Sequence, residues 1–305
     1  MPCYNAEAHV ARGVASVLGQ TCRNVELIAV DDGSTDGTAA VLGTIDDPRL
    51  RVISQTNRGV SAARNRGLAE ATGTFVAFLD ADDTWRPDCL ELLLAALEKA
   101  PEAVAAYCGW QNVGLDGGRG EPYIPPDYET EGKLEHFLRC CPWPIHAALV
   151  RREALMAAGG FPEELTHAED YALWLRVAVF RPVVRVPEVL AHYHFHGMGQ
   201  ASTNRLKAAF GELNVKLDFL KRFPVAGRIL GREAVRRLVY GRLLTEGFSC
   251  YWARDLVAAR GIFRVLMRAG YGSPRHWRYY LPALLPLGFH RELIRRLEQS
   301  EVANR

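Results

Sequence analysis

Carboxylates gather at two places in this chain. Asp80, Asp82 and Asp83 stand within four positions, directly after the apolar run Phe75 to Leu79. Three acids so close repel one another unless they share a cation, and carboxylate oxygens suit hard ions such as Mg²⁺ or Mn²⁺. The plainer alternative is a strand end followed by a helix capped by Asp or Thr. Glu169 and Asp170 form a second pair at a helix start, where acids also serve simply to offset the helix dipole. Asp31 and Asp32 end another apolar run, Val25 to Val30. Carboxylates there could accept hydrogen bonds from a base N–H and ribose hydroxyls, or cap the next helix.

The elements that must position these residues alternate. Apolar spacing predicts a loop and helix over 5–18, a strand over 25–30, a helix through Leu42, a short strand over 49–54, a helix over 61–71 and a buried strand over 75–79. A strongly amphipathic helix follows over 89–99, then a strand over 103–110. Gly114 to Thr130 reads as a mobile loop. Short elements are expected over 133–140, 147–150 and 153–158, a helix over 169–179, and an extended stretch over 183–193 leading into His194 and His196. This alternation predicts an α/β domain with a mostly parallel sheet, whose ligands bind beyond the carboxyl ends of the strands.

From Asn204 onward the pattern is helical, over about 205–222, 227–246, 252–269 and 289–300. Charge divides at the same place. Residues 1–200 carry 17 Lys and Arg against 27 Asp and Glu, a balance of −10; residues 201–305 carry 20 against 8, a balance of +12. We read a domain at 1–203 and a basic helical extension at 204–305. The extension suits an anionic membrane surface or a solvated helical face. The apolar stretch 279–289 is broken by Pro282 and Pro286 and is too short to span a bilayer. No signal peptide is visible, and the seven cysteines are an odd number without a Cys-x-x-Cys pair, which predicts reduced thiols, no zinc site and a cytosolic protein.

Taken in order, the motifs resemble those of the family 2 glycosyltransferases, inverting enzymes of the GT-A fold that use nucleotide-sugar donors. The matching residues are Pro2-x-Tyr4-Asn5-x-Glu7, Gln20-Thr21, Val30-Asp31-Asp32-Gly33-Ser34-Thr35-Asp36, Asn57-x-Gly59, Ala63-Arg64-Asn65-x-Gly67, Phe78-Leu79-Asp80-x-Asp82-Asp83 and Glu169-Asp170. They cover residues 1–200. The resemblance implies donor contacts from Tyr4, Asp31, Asp32, Arg64 and Asp80. It implies Asp82 and His196 as ligands of Mn²⁺ or Mg²⁺, Asp170 as the base that activates the acceptor hydroxyl, and Glu169 on the acceptor side. Asp83 is assigned to capping the next helix.

The donor implied is a nucleotide-sugar, foremost a UDP-sugar. The acceptor is a glycan or a lipid-linked sugar of cell-surface polysaccharide synthesis, with no nucleic-acid partner, at the inner face of a membrane. Two departures stand out. His194 occupies the place of the family's usual Arg, and the apolar strand that ordinarily precedes Pro-x-Tyr-Asn is missing, so we expect either a native start upstream of Met1 or a truncated copy.

Two rivals remain. Asp80-Ala81-Asp82-Asp83-Thr84 fits the Asp-x-Asp-x-Thr of haloacid-dehalogenase-like phosphohydrolases, with Asp80 as nucleophile. After Lys133, however, the only lysines are Lys207, Lys216 and Lys221, and no acid pair follows them. The other rival is a non-catalytic homologue, against which the intact Asp80, Asp82 and Asp170 argue.

Overall fold

The computed structural model describes residues 1–115, 120–196, 204–292 and 295. The chain forms two compact units, Met1–Gln200 and Ala201–Arg305.

The first unit starts with β1 (Pro2–Cys3), α1 (Val10–Leu18), β2 (Leu27–Asp31), α2 (Thr38–Gly43), β3 (Leu50–Ser54) and α3 (Val60–Glu70). β1, β2 and β3 pair in parallel, with Pro2 opposite Val30 and Val30 opposite Ile53. All five residues of β2 are buried, as expected of an apolar run covered on both faces. Next come β4 (Phe75–Ala77), β5 (Thr84–Trp85), α4 (Cys89–Lys99), β6 (Ala105–Val113), α5 (Lys133–Arg139), β7 (Ala148–Arg151), α6 (Arg152–Ala157), α7 (Glu169–Val177) and β8 (Val183–His194). These strands form a second, mixed sheet in the order β4-β7-β6-β8-β5, in which only β6 and β8 run parallel. α4 buries Leu90, Leu93 and Leu97, a stripe at helical spacing. Beneath β6, Tyr107 stacks on Trp143 with ring centroids 4.4 Å apart.

The two sheets do not join. Pairing of β1 with β2 ends at Met1, whose ammonium donates to the Ile28 carbonyl at 2.8 Å. Beyond it lies a cavity of about 540 Å³ between β2 and β4, lined by Leu27, Ala63, Val76, Phe78 and Leu94 among others. Hence Phe75, Val76 and Ala77 are only half-buried, where a fully buried strand is expected from their apolarity. Gln20 ties α1 to α4: its amide donates to the Ser16 and Arg86 carbonyls and its oxygen accepts the Leu90 N–H. All seven cysteines are free.

The second unit packs α8 (Arg205–Arg222), α9 (Pro224–Trp252), α10 (Leu256–Arg268) and the short α11 (Trp277–Tyr280). Asn204 and Asp255 cap α8 and α10 with side-chain oxygens. The core holds Leu213, Val239, Leu243, Ile262, Phe263 and Leu266. Gly247 lets α9 approach α10, since a Cβ there would lie 2.8 Å from Ile262. α9 is longer than the expected 227–246 and turns at Gly231, with φ of 76°. Of the expected helix over 289–300, residues 293–294 and 296–300 lie outside the described residues, as do 116–119 of the loop and 197–203 at the expected domain boundary.

Candidate active site

The carboxyl ends of β1, β2 and β4 open onto one region. Tyr4, just past β1, leaves half its surface exposed. Asp31 is buried and accepts the Ser34 N–H through Oδ1 at 3.1 Å. Asp32 is 2% exposed, and both its oxygens are engaged. Oδ1 accepts from Gln55 Nε2 and the Arg58 N–H, and Oδ2 from the Gly59 N–H, at 2.8–2.9 Å. Asp32 therefore fastens the loop 55–59 to the end of β2. Gly59 is held at φ 89°, a conformation that favours glycine.

Arg64 organises the floor. It lies on the buried face of α3 with its side chain 3% exposed. Nη2 donates to both oxygens of Asp80 at 2.7 and 3.0 Å, and Nη1 donates to Glu169 Oε1 at 2.8 Å. The guanidinium sits over the Phe161 ring, 5.3 Å from its centroid. Burial disfavours its charge, yet the Asp80 and Glu169 carboxylates outweigh burial and raise its pKa above the ordinary value. Asp80 responds in kind. Burial would raise its pKa, but Arg64 holds it below the ordinary carboxylate value.

Asp170 has no such partner. It accepts from its neighbour Tyr171 N–H at 2.7 Å, and its Oδ2 lies 3.9 Å from Cys141 Sγ. Enclosure by protein atoms, together with the Glu169 charge, raises its pKa to about 7, while part of its surface still meets solvent. It is a partly buried carboxylate with the proton affinity of a general base.

The rim is built differently. Asp82 Oδ2 lies 2.9 Å from His196 Nε2, and each side chain is more than a quarter exposed. His9 stacks on His196 at 4.6 Å, and Arg12 donates to the Asp82 carbonyl at 2.8 Å. Neither His9 nor Arg12 was singled out in the sequence. Their separation by three residues, one helical turn, was the available signal. Among the described residues no three His, Cys, Asp or Glu side chains converge as a closed metal cage. Asp82 and His196 present one oxygen and one nitrogen side by side, which fits part of an open divalent site completed by phosphate oxygens and water.

Asp83 corrects an expectation, for it caps no helix. It is fully buried; Oδ1 accepts the His194 N–H at 3.0 Å and Oδ2 lies 3.1 Å from His146 Nδ1. Burial raises its pKa. The Leu90 N–H in the first turn of α4 is met instead by Gln20 Oε1. His194 contacts Thr84 Oγ1 at 2.9 Å, and burial lowers its pKa to about 4, so it is neutral at pH 7. It supplies none of the charge that an Arg would carry there.

A family model described as glycosyl transferase family 2 matches residues 1–158, just over half of the chain. Among curated proteins, the chondroitin synthase of Escherichia coli is 29% identical over 248 residues, which are 80% of this chain and 34% of that protein. This chain thus spans about a third of that relative. A second Escherichia coli protein, UDP-Glc:alpha-D-GlcNAc-diphosphoundecaprenol beta-1,3-glucosyltransferase, is 33% identical over 178 residues, 58% of this chain and 67% of its own. Among solved structures, a mannosyltransferase from Pyrobaculum calidifontis in complex with GDP-Man and Mn²⁺ superposes with a TM-score of 0.58 at 22% identity, covering 89% of this chain and 74% of its own. That likeness establishes a shared GT-A-like fold.

Proposed function

Since this chain belongs to glycosyl transferase family 2, we propose that it transfers a sugar from a nucleoside-diphosphate donor to an acceptor hydroxyl, with inversion at the anomeric carbon. The observation that carries this reading is the Arg64 bridge. One buried guanidinium joins Asp80, at the end of β4, to Glu169, at the start of α7, and so sets Asp170 beside the donor end of the sheet.

In this reading the exposed Tyr4 ring packs against the base, and Asp31 and Asp32 shape the pocket through the loops they hold. Asp80 faces the ribose, and Arg64 acts by positioning Asp80 and Glu169. Asp82 and His196 would hold the divalent ion, Mn²⁺ or Mg²⁺. The ion supplies charge neutralisation on the departing nucleoside diphosphate. Asp170 takes the proton of the acceptor hydroxyl as its oxygen attacks opposite the leaving group. Glu169, held by Arg64, stays on the acceptor side and keeps the affinity of Asp170 for a proton high.

A UDP-sugar donor and a glycan or lipid-linked acceptor in surface polysaccharide synthesis are the preferred substrates, supported by the names of the two Escherichia coli relatives. The Mn²⁺ in the archaeal structure supports the metal. We assign catalysis and donor binding to residues 1–203 and the basic extension to 204–305. Isothermal titration of nucleoside diphosphates, with and without Mn²⁺, tests the reading. Metal-dependent binding of one nucleotide, lost in Asp82→Ala, is expected. Binding equally tight in the variant would remove the metal assignment, and no binding to any nucleotide would remove the donor site.

A further inference from the structure

The second unit carries a surface whose chemistry the transfer reaction does not use. After α10 the chain turns through Pro274 and folds back, and its short helical turns are tied down by arginines. Arg264 Nε donates to the Ala283 carbonyl at 2.8 Å, Arg260 Nε to the same carbonyl at 3.2 Å, and Arg260 Nη2 to the Leu285 carbonyl. This fixes the segment with large apolar side chains facing outward. Trp277, Leu281, Leu284, Leu285 and Phe289 are all exposed, Phe289 by 71%. Trp252, 63% exposed at the end of α9, adjoins the segment through Tyr279, their ring centroids 6.4 Å apart.

The stretch of chain that builds this face is rich in cations. Residues 251–292 hold seven arginines against Asp255 and Glu292. Asp255 is used in capping α10 and Glu292 pairs with Arg295. Arg278 lies over the Tyr279 ring at 4.8 Å. Arg260 and Arg264, on successive turns of α10, repel each other. Burial together with that repulsion lowers the pKa of Arg260, so an anion nearby would stabilise the pair. No helix among the described residues is long and apolar enough to cross a membrane.

We propose that the face carrying Trp252, Trp277, Leu281, Leu284, Leu285 and Phe289 is a docking surface for an anionic lipid bilayer. The apolar side chains enter the headgroup boundary and the arginines of the same stretch meet lipid phosphates. Charge decides between occupants. A second copy of this face would bring seven more arginines against the first seven, whereas an anionic bilayer neutralises them. The partner is independent of the donor assignment and adds a location to the transferase reading, since a lipid-linked acceptor would be presented at such a surface.

The test is co-sedimentation of the full chain with phosphatidylcholine vesicles, with and without phosphatidylglycerol. Expected is binding only when phosphatidylglycerol is present, weakening as salt rises. Leu281→Glu with Phe289→Glu should weaken it at least about tenfold, and Arg275→Gln about fivefold, in line with the typical contribution of one surface cation. All three positions are exposed, so the fold does not depend on them. Protein left in the supernatant with phosphatidylglycerol vesicles would overturn the proposal. So would equal binding to neutral vesicles, or a double variant that binds like the parent. A wild-type dimer dispersed by the double variant, without vesicle binding, would reassign the face to self-association. Nucleotide titration of the same preparation reports separately on the transfer reading.

Discussion

Asp80 and Asp82 stand two residues apart and are equally exposed, 28% and 27%, yet they have opposite partners. Asp80 is on the floor, gripped at two points by a buried arginine that also grips Glu169. Asp82 is on the rim, and its one partner, His196, is itself more than a quarter exposed. The floor is an ion cluster whose geometry is set when the protein folds. The rim is a pair that water can reach and a ligand can rearrange. Under the proposed function the difference separates two tasks: rigidity where reacting groups would be aligned, and accessibility where an ion and a diphosphate would enter and leave.

Removing Arg64 is the hardest blow to the floor. Arg64→Met leaves Asp80 and Glu169 facing each other without a counter-charge and should destabilise the protein by about 3–5 kcal/mol, the range for breaking a buried ion pair. Arg64→Lys should recover only part, because one ammonium cannot reproduce the forked contact with two carboxylates. Urea unfolding measures both. A loss under about 1 kcal/mol would show that the floor is no more rigid than a surface pair.

Asp170 sharpens the contrast in function. Asp170→Asn should lower the transfer rate about 10²–10⁴-fold with nucleotide binding retained. In the parent, kcat/KM should rise with pH through an apparent pKa near 7, since the base acts only when deprotonated. Stability runs the other way. The folded state holds this proton above the ordinary carboxylate pKa of 3.8, so the stabilising contribution is full below that value and is lost as pH rises to about 7. Thermal unfolding of parent and variant at about pH 3 and about pH 8, either side of that window, checks the sign: Asp170→Asn should gain on the parent only at the higher pH. A gain at the lower pH would reject the raised pKa.

At the rim, Asp82→Ala should change stability by no more than about 0.5 kcal/mol, as for an exposed pair. Its effect should fall on Mn²⁺-dependent nucleotide binding alone. Equal destabilisation of the Asp82 and Arg64 variants would erase the distinction between rim and floor.

How much of this was legible follows the range of each interaction. The strands were readable from apolar runs, and most boundaries fall within two residues. The acids were readable as strand-end and helix-start residues, because those places are local in sequence. The Arg64 bridge was not, since nothing in the spacing of residues 64, 80 and 169 shows that three elements converge. Asp83 misled for the same reason. Its position before a helix suggests a cap, whereas its partners are His146 and the His194 backbone, more than 60 residues away. The separation into one parallel and one mixed sheet was not legible either, since it depends on pairings that alternation does not encode.

The smallest effect lies where the floor begins. Ala168, just before Glu169, has φ 63° and ψ 27°, a left-handed conformation that disfavours a Cβ by about 1–2 kcal/mol. Its carbonyl accepts the Ala172 N–H at 3.0 Å, so the bend is locked to the first turn of α7, which carries both acids. Ala168→Gly removes the steric penalty but adds about 0.5–1 kcal/mol of chain entropy to be lost on folding. The net should be a gain of no more than about 1 kcal/mol, a rise of a few degrees at most in Tm. The same change loosens the direction in which Glu169 and Asp170 leave the bend, so the transfer rate should fall modestly while nucleotide affinity stays constant. A lower Tm would show the bend to be unstrained. An unchanged rate would show that Arg64 alone aligns the acids and that the backbone before them is dispensable.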